Sequence, residues 1–231
     1  MRPSAPPGLL STAWILVRKD LLLEWRSRAR ANALVFFALA SVLLFSFALG
    51  PDTTFLRHAA GGTLWLAILL ASVLALGESF RVEQENAALD GLRLAPADAR
   101  ALFLAKALAN AVLLVLVGAV ILPVLFALAS VDAVLGLGRL AGVLVLGCLA
   151  IAAPGTVYAA IASHARSRDV LLPLLLFPLL IPAVVAAAKA TSLVFEGDPM
   201  LQSGSWLGLL GAFNLVYWSL GFALFPRVVE D

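Results

Sequence analysis

Few residues in this chain have the chemistry of a catalytic or metal site. Its histidines are His58 and His164, its cysteine is Cys148, and its lysines are Lys19, Lys106 and Lys189. None of the lysines follows a glycine, so the chain has no G-x-x-x-x-G-K-[ST] loop to cradle phosphate and is not expected to hydrolyse ATP alone. His58 and His164 fall at opposite ends of apolar runs, which keeps them from sharing a metal ion within one subunit. Taken singly, His58 fits an interfacial histidine better than a haem or metal ligand. Cys148 reads as a small packing residue inside an apolar run, and one cysteine supports neither a disulfide framework nor a Cys-x-x-Cys site. Within the apolar runs the polar groups are Asn110, Tyr158 and Asn214, with Glu78 near a run's end. The two asparagines are expected to tie helices together. No file of Asp, Glu or His crosses an apolar run as proton-coupled transport needs, and no charged ring marks an ion channel. The expectation is a non-catalytic chain, with no catalytic residues and no metal site.

Charge is instead concentrated in one segment, RVEQENAALDGLRLAPADAR (81–100), which carries Arg81, Glu83, Glu85, Asp90, Arg93, Asp98 and Arg100. It lies between the apolar runs 58–77 and 101–129. Burying such charges at a bilayer centre costs about 2.5–3.5 kcal/mol each on insertion scales, so the segment must sit at a membrane face. Ala88, Leu89, Leu92 and Ala95 recur at helical spacing, with Glu85, Asp90 and Arg93 around them. A short amphipathic helix of this kind suits a groove on a soluble partner, and the plainer alternative is a solvated connecting loop. Pro96 turns the chain, and Asp98 is placed to cap the helix that follows.

The elements that must hold this segment are membrane spans. Of 231 residues, 62% are hydrophobic and 13% charged, and the mean hydropathy is +1.02. A soluble domain carries about 25% charged residues, and runs of about 20 apolar residues are long enough to cross a bilayer as helices. The runs lack the alternation of an outer-membrane barrel. The class is all-α, a polytopic helical membrane protein with six transmembrane helices at roughly 31–50, 58–79, 101–129, 138–163, 169–189 and 204–225. They form a transmembrane domain over 31–225, followed by a short tail at 226–231. On one side of the membrane lie only Arg57, Arg139 and Lys189, and the rest of the sixteen Lys and Arg fall on the other. The positive-inside rule then makes both termini and residues 81–100 cytoplasmic.

Before the first span, residues 9–30 read as a helix with Ser11 or Thr12 as its N-cap. Leu10, Trp14, Val17, Leu21 and Trp25 share one face, and Trp14 and Trp25 suit the headgroup level, so residues 1–30 form a tail and an interfacial helix. Pro173, Pro178 and Pro182 are expected to break the fifth span, as either a static wedge or a moving element. Gly138 with Gly142, and Gly204 with Gly208, have the GxxxG spacing of a close helix–helix or dimer face.

The run from Gly50-Pro51-Asp52, through Gly61-x-x-x-Trp65 and the acidic segment with Leu89, Leu92, Leu94 and Pro96, to Ala105-Lys106 resembles the CcmB family. So do Pro154-Gly155 and LLPLLLFPLLIPA further on, and the likeness covers essentially the whole chain. The family supplies the permease of the haem-exporter-type ABC transporter of cytochrome c maturation. The resemblance implies an ABC-2-like permease in a bacterial inner membrane. Its partners would be a second copy of itself, a cytoplasmic ABC ATPase that binds the ATP, a haem-handling membrane protein, a small accessory subunit and lipid, but no nucleic acid. ATP hydrolysis would drive haem export, or release of haem-loaded chaperone at the periplasmic side, with haem as cargo and no bound cofactor. The coupling helix maps onto 81–100, with Glu83, Glu85, Leu89, Asp90, Leu92 and Arg93 facing the ATPase. Asn86-Ala87-Ala88 departs from the family, which often has glycine after the acidic pair, and so alters the local turn. The competing functions are the permease of another ABC-2-type exporter and a stand-alone secondary transporter.

Overall fold

In hydrocarbon no water is at hand to satisfy the backbone, so a long apolar chain folds into helices that close their own hydrogen bonds. The structure, a computed structural model, describes residues 8–85, 98–130, 136–163, 168–198 and 202–230. Among them the regular elements are helices: α1 (Leu9–Ser27), α2 (Ala29–Leu49), α3 (Thr53–Glu85), α4 (Ala99–Ala129), α5 (Leu137–Ser163), α6 (Arg168–Phe195) and α7 (Ser203–Glu230). The six from α2 to α7 are long and apolar enough to cross a membrane, as the sequence predicts.

Several helices outrun the hydropathy limits because polar caps, which hydropathy ignores, set their ends. Gly50 leaves α2 at φ 87°, a left-handed value that favours glycine. Pro51 follows, and the Asp52 carboxylate accepts from the N–H groups of Thr54 and Phe55, so α3 starts at Thr53 and not at residue 58. Asp98 caps α4 as expected, accepting from the Arg100 N–H at 2.9 Å. At α1 the expectation is corrected. The N-cap is Gly8, and the Ser11 and Thr12 hydroxyls lie in the first turn, donating back to the Gly8 carbonyl. The fifth span is also unbroken: α6 runs through Pro173, Pro178 and Pro182 to Phe195, and α7 runs through Pro226 to Glu230. Membrane helices tolerate interior proline where neighbouring groups re-satisfy the freed carbonyls.

α3 and α5 are the most enclosed spans, and α2 and α7 stand at the periphery. α3 packs against α2, α4, α5 and α6, whereas α1 lies along α4 and barely touches α2. Phe36, Leu44 and Phe47 of α2 and Leu215 of α7 point outward, as a lipid-facing surface requires.

The interior is organised on Trp65. Its indole Nε1 donates to Thr191 Oγ1 of α6 at 2.8 Å, and that hydroxyl donates on to the Ala187 carbonyl at 2.8 Å. The far edge of the ring lies against Gly147 of α5, where even a Cβ would collide with it. One turn earlier on α3, Gly61 meets Ser192 and the Ala188 carbonyl so closely that no side chain fits. Asn110 donates to Thr156 Oγ1 at 3.3 Å, joining α4 to α5, and Asn214 donates to the Leu146 carbonyl at 2.9 Å, joining α7 to α5. Both asparagines therefore tie helices, as their sequence positions indicate. By contrast Gly138, Gly142, Gly204 and Gly208 have nothing within 4 Å of where a Cβ would stand, so among the described residues they do not mark a close helix approach.

Trp65→Phe removes one interhelical hydrogen bond, worth about 0.6–1 kcal/mol, and empties part of the space against Gly147, so its total cost should exceed that. Gly147→Val overpacks the ring site and should cost about 1–3 kcal/mol. Thiol labelling of the buried Cys148 during heating in detergent reports both, and a Gly147→Val midpoint equal to wild type would contradict this packing.

Candidate functional site

α1 ends where Arg28 adopts a left-handed conformation (φ 44°) and its N–H donates to the Glu24 carbonyl. α2 restarts at the next residue, so the elbow is one residue long. The face that α1 turns to the protein carries Ala13 and Val17, both buried, then Asp20 and Glu24, at helical i, i+3 and i+4 steps. Leu10 and Trp14 point away, Trp14 being 68% exposed, and Leu21 is half-buried. The apolar face expected from the sequence is thus divided, because Val17 follows Ala13 inward. The Trp25 side chain lies outside the described residues.

Both acidic residues of α1 are met by cations from other helices. Asp20 Oδ2 lies 3.1 Å from Lys106 Nζ of α4, and Asp20 Oδ1 lies 3.3 Å from Lys19. Lys106 Nζ also donates to the Ser79 carbonyl of α3 at 3.3 Å. Glu24 Oε2 lies 3.2 Å from Arg30 of α2, whose Nη2 donates to the Ala75 carbonyl of α3 at 3.0 Å. Side-chain exposure of Lys106 and Asp20 is only 7% and 14%. Removing one member of so dehydrated a pair costs far more than breaking a surface pair. Nearby, Arg100 sits 5.3 Å from the Phe222 ring centroid, and Phe103 packs against Trp218 and Phe225. The start of α4 is therefore fastened to α1, α3 and α7.

This network lies at the base of the segment read as a coupling helix. α3 spans 33 residues, about 50 Å at 1.5 Å per residue, against roughly 30 Å of hydrocarbon. Its apolar stretch closes at Ser79, and Glu83 and Glu85 lie on the helical extension beyond. Leu89, Asp90, Leu92 and Arg93 fall outside the described residues. Sequence reasoning counted Arg30 as a charge for topology, and Lys106 as that and as part of the family resemblance, and missed the partners of both. The available signal was Lys106 standing alone in an apolar run, with Asp20 and Glu24 four apart on a helix otherwise basic in its charges.

A second polar cluster occupies the opposite end. Arg57 Nη2 of α3 donates to the Phe195 carbonyl at 2.7 Å, and His58 Nδ1 lies 2.8 Å from Glu196 Oε1. The histidine is engaged by a carboxylate just past α6. Between α6 and α7, Gly197 (φ 84°) and Asp198 (φ 42°) turn the chain. The buried Asp198 carboxylate accepts from the N–H groups of Gln202 and Ser203 and from the Ser203 hydroxyl, with Arg139 at 3.7 Å. These interactions, the Ser203 hydroxyl first, hold the Asp198 carboxyl below the ordinary aspartate value against the opposing effect of burial.

Six apolar helices with polar clusters at their two ends define a multi-pass helical membrane protein. The sequence model of the CcmB protein family matches residues 11–229, and the chain belongs to that family. Among its relatives, heme exporter protein B of Bradyrhizobium diazoefficiens is 33% identical over 206 residues, covering 89% of this chain and 91% of the relative. Heme exporter protein B of Pseudomonas aeruginosa is 35% identical over 206 residues, covering 87% and 89%. That of Rhodobacter capsulatus is 33% identical over 182 residues, covering 79% and 83%.

Because folding lowers the Asp198 pKa, its ionised form contributes stability above the unfolded value of about 3.9. That contribution is lost as pH falls through the lower folded value. Ser203→Ala removes the main cause, so its unfolding midpoint should lie below that of wild type at neutral pH, and should fall less below about pH 3.9 and level off at higher pH. Coincident acid limbs would show that Ser203 does not hold the carboxylate.

Proposed function

We propose that this chain is the membrane permease subunit of an ABC-type haem exporter serving cytochrome c biogenesis, with ATP bound and hydrolysed on a separate cytoplasmic subunit. The observation that carries the reading is membership of the CcmB family along nearly the whole chain, together with relatives named heme exporter protein B. The absence of a phosphate-binding loop in the sequence agrees with ATP chemistry on another chain. The distribution of Lys and Arg supports a cytoplasmic position for α1, the end of α3, residues 81–100 and both termini, and in this reading the membrane is a bacterial inner membrane. In this reading 81–100 is the contact for the ATPase, with Glu83, Glu85, Leu89, Asp90, Leu92 and Arg93 as its surface. The clusters around His58 and Asp198 then face the periplasm, where haem leaves as cargo or a haem-loaded chaperone is released. A second copy, a haem-handling membrane protein and a small accessory subunit complete the assembly.

Co-purification from detergent with the candidate ATPase tests the contact. Leu89→Asp/Leu92→Asp should insert normally and lose the ATPase, and undiminished association would sink the assignment. Deletion of the gene should abolish holo-cytochrome c, and normal c-type haem staining would reject the pathway.

A further inference from the structure

Lys106 is the point at which three helices share one charge. The residue belongs to α4, and its ammonium reaches Asp20 of α1 at 3.1 Å and the Ser79 carbonyl of α3 at 3.3 Å. Ser79 closes the apolar stretch of α3, and Lys106 lies two turns after the Asp98 cap of α4. The ammonium therefore bridges α3 and α4, the two helices that residues 86–97 connect in the chain, and adds α1 as a third member. Only an ammonium offers three N–H donors on a flexible stem at this position, and a neutral side chain of similar length would fill the space and join nothing. A second strap repeats the arrangement one turn along α3, where Arg30 of α2 holds Glu24 of α1 and the Ala75 carbonyl. α1 packs on α4 and scarcely on α2, although only Arg28 separates it from α2 in the chain. Its position thus follows α4, the helix leaving 81–100.

We propose that Lys106 is a positioning residue that locks α1, α3 and α4 into one unit at the base of 81–100. Displacement of that segment by a partner ATPase then moves all three helices together and is not absorbed in a loop. The proposal rests on the reading of 81–100 as the ATPase contact and adds to it the residue through which the contact acts on the bundle. A structural residue alone would lose folding, association and activity together. A positioning residue loses the link between them.

The test uses the full permease–ATPase complex with three variants: Lys106→Met, Asp20→Asn, and the exchange Asp20→Lys/Lys106→Asp. Insertion, the Cys148 melting midpoint, ATPase co-purification, ATP hydrolysis by the purified complex and holo-cytochrome c in cells are measured in parallel. Lys106→Met and Asp20→Asn should insert, keep the ATPase and keep hydrolysis, while holo-cytochrome c falls roughly tenfold, within the usual range of coupling between sites. The exchange re-forms the ion pair between α1 and α4 but leaves the Ser79 carbonyl without its donor, so it should restore holo-cytochrome c in part and not fully. Where Lys106→Met fails to insert, Asp20→Asn carries the test, because it leaves the bond to Ser79 in place. Holo-cytochrome c at wild-type levels in both single variants overturns the proposal, as does a parallel fall of association, hydrolysis and holo-cytochrome c. Failure of the wild-type chain to hold the ATPase is a separate result, which removes the underlying reading.

Discussion

Lipid does not drive apolar helices together, since a leucine gains nothing by leaving acyl chains for another leucine. Association must come from close packing and from polar groups that lipid cannot satisfy, and in this chain both meet at Trp65. The indole N–H has no water to turn to and takes Thr191, while its ring occupies the space left by Gly147. Gly61 lets the backbones of α3 and α6 approach beside it. Three helices are thereby placed by one side chain, and Asn110 and Asn214 add α4 and α7 on the same principle. What this seam positions is the frame on which both charged ends are mounted.

Those features of the sequence that lipid itself dictates were legible. Unbroken apolar runs must become helices, lone asparagines within them must find a partner, and an aspartate ahead of a helix caps it, as Asp98 does. The failures share another cause, which is dependence on groups distant in the chain. Pro173, Pro178 and Pro182 look like breaks, yet α6 runs through all three. The α1 stripe looks single until α4 draws Val17 inward and leaves Trp14 outside. Lys106 looks like a topology charge, because its partners Asp20 and Ser79 lie 86 and 27 residues away along the chain. The motif residues shared with the CcmB family fall between these cases. Gly50-Pro51-Asp52 and Gly61-x-x-x-Trp65 were recognisable as a pattern, but only the structure shows that one stops a helix and starts the next, and that the other builds the central seam.

The two polar ends are constructed differently. At the α1 end, carboxylates and cations from separate helices pair in a poorly hydrated layer, so partners cannot be exchanged cheaply. At the other end, backbone groups do much of the holding: Arg57 takes the last carbonyl of α6, and Asp198 collects the first N–H groups leading into α7. The first arrangement fastens helices side by side, and the second fastens helix ends to one another. A protein that must keep α1 and the base of 81–100 in register while connecting spans on the far side has use for both.

The length of α3 has a mechanical consequence. It runs without interruption from Thr53, four residues before the Arg57 strap, to Glu85, past the Lys106 layer. The two ends of the bundle therefore share a single rigid rod, with no joint between them. Trp65 sits 12 residues from one end of the rod and 20 from the other, about 18 Å and about 30 Å of helix. The protein holds its longest helix off-centre, as a lever is held at its fulcrum. A tilt about the Trp65 seam would carry the Glu85 end about 1.7 times as far as the Thr53 end, and in the opposite direction.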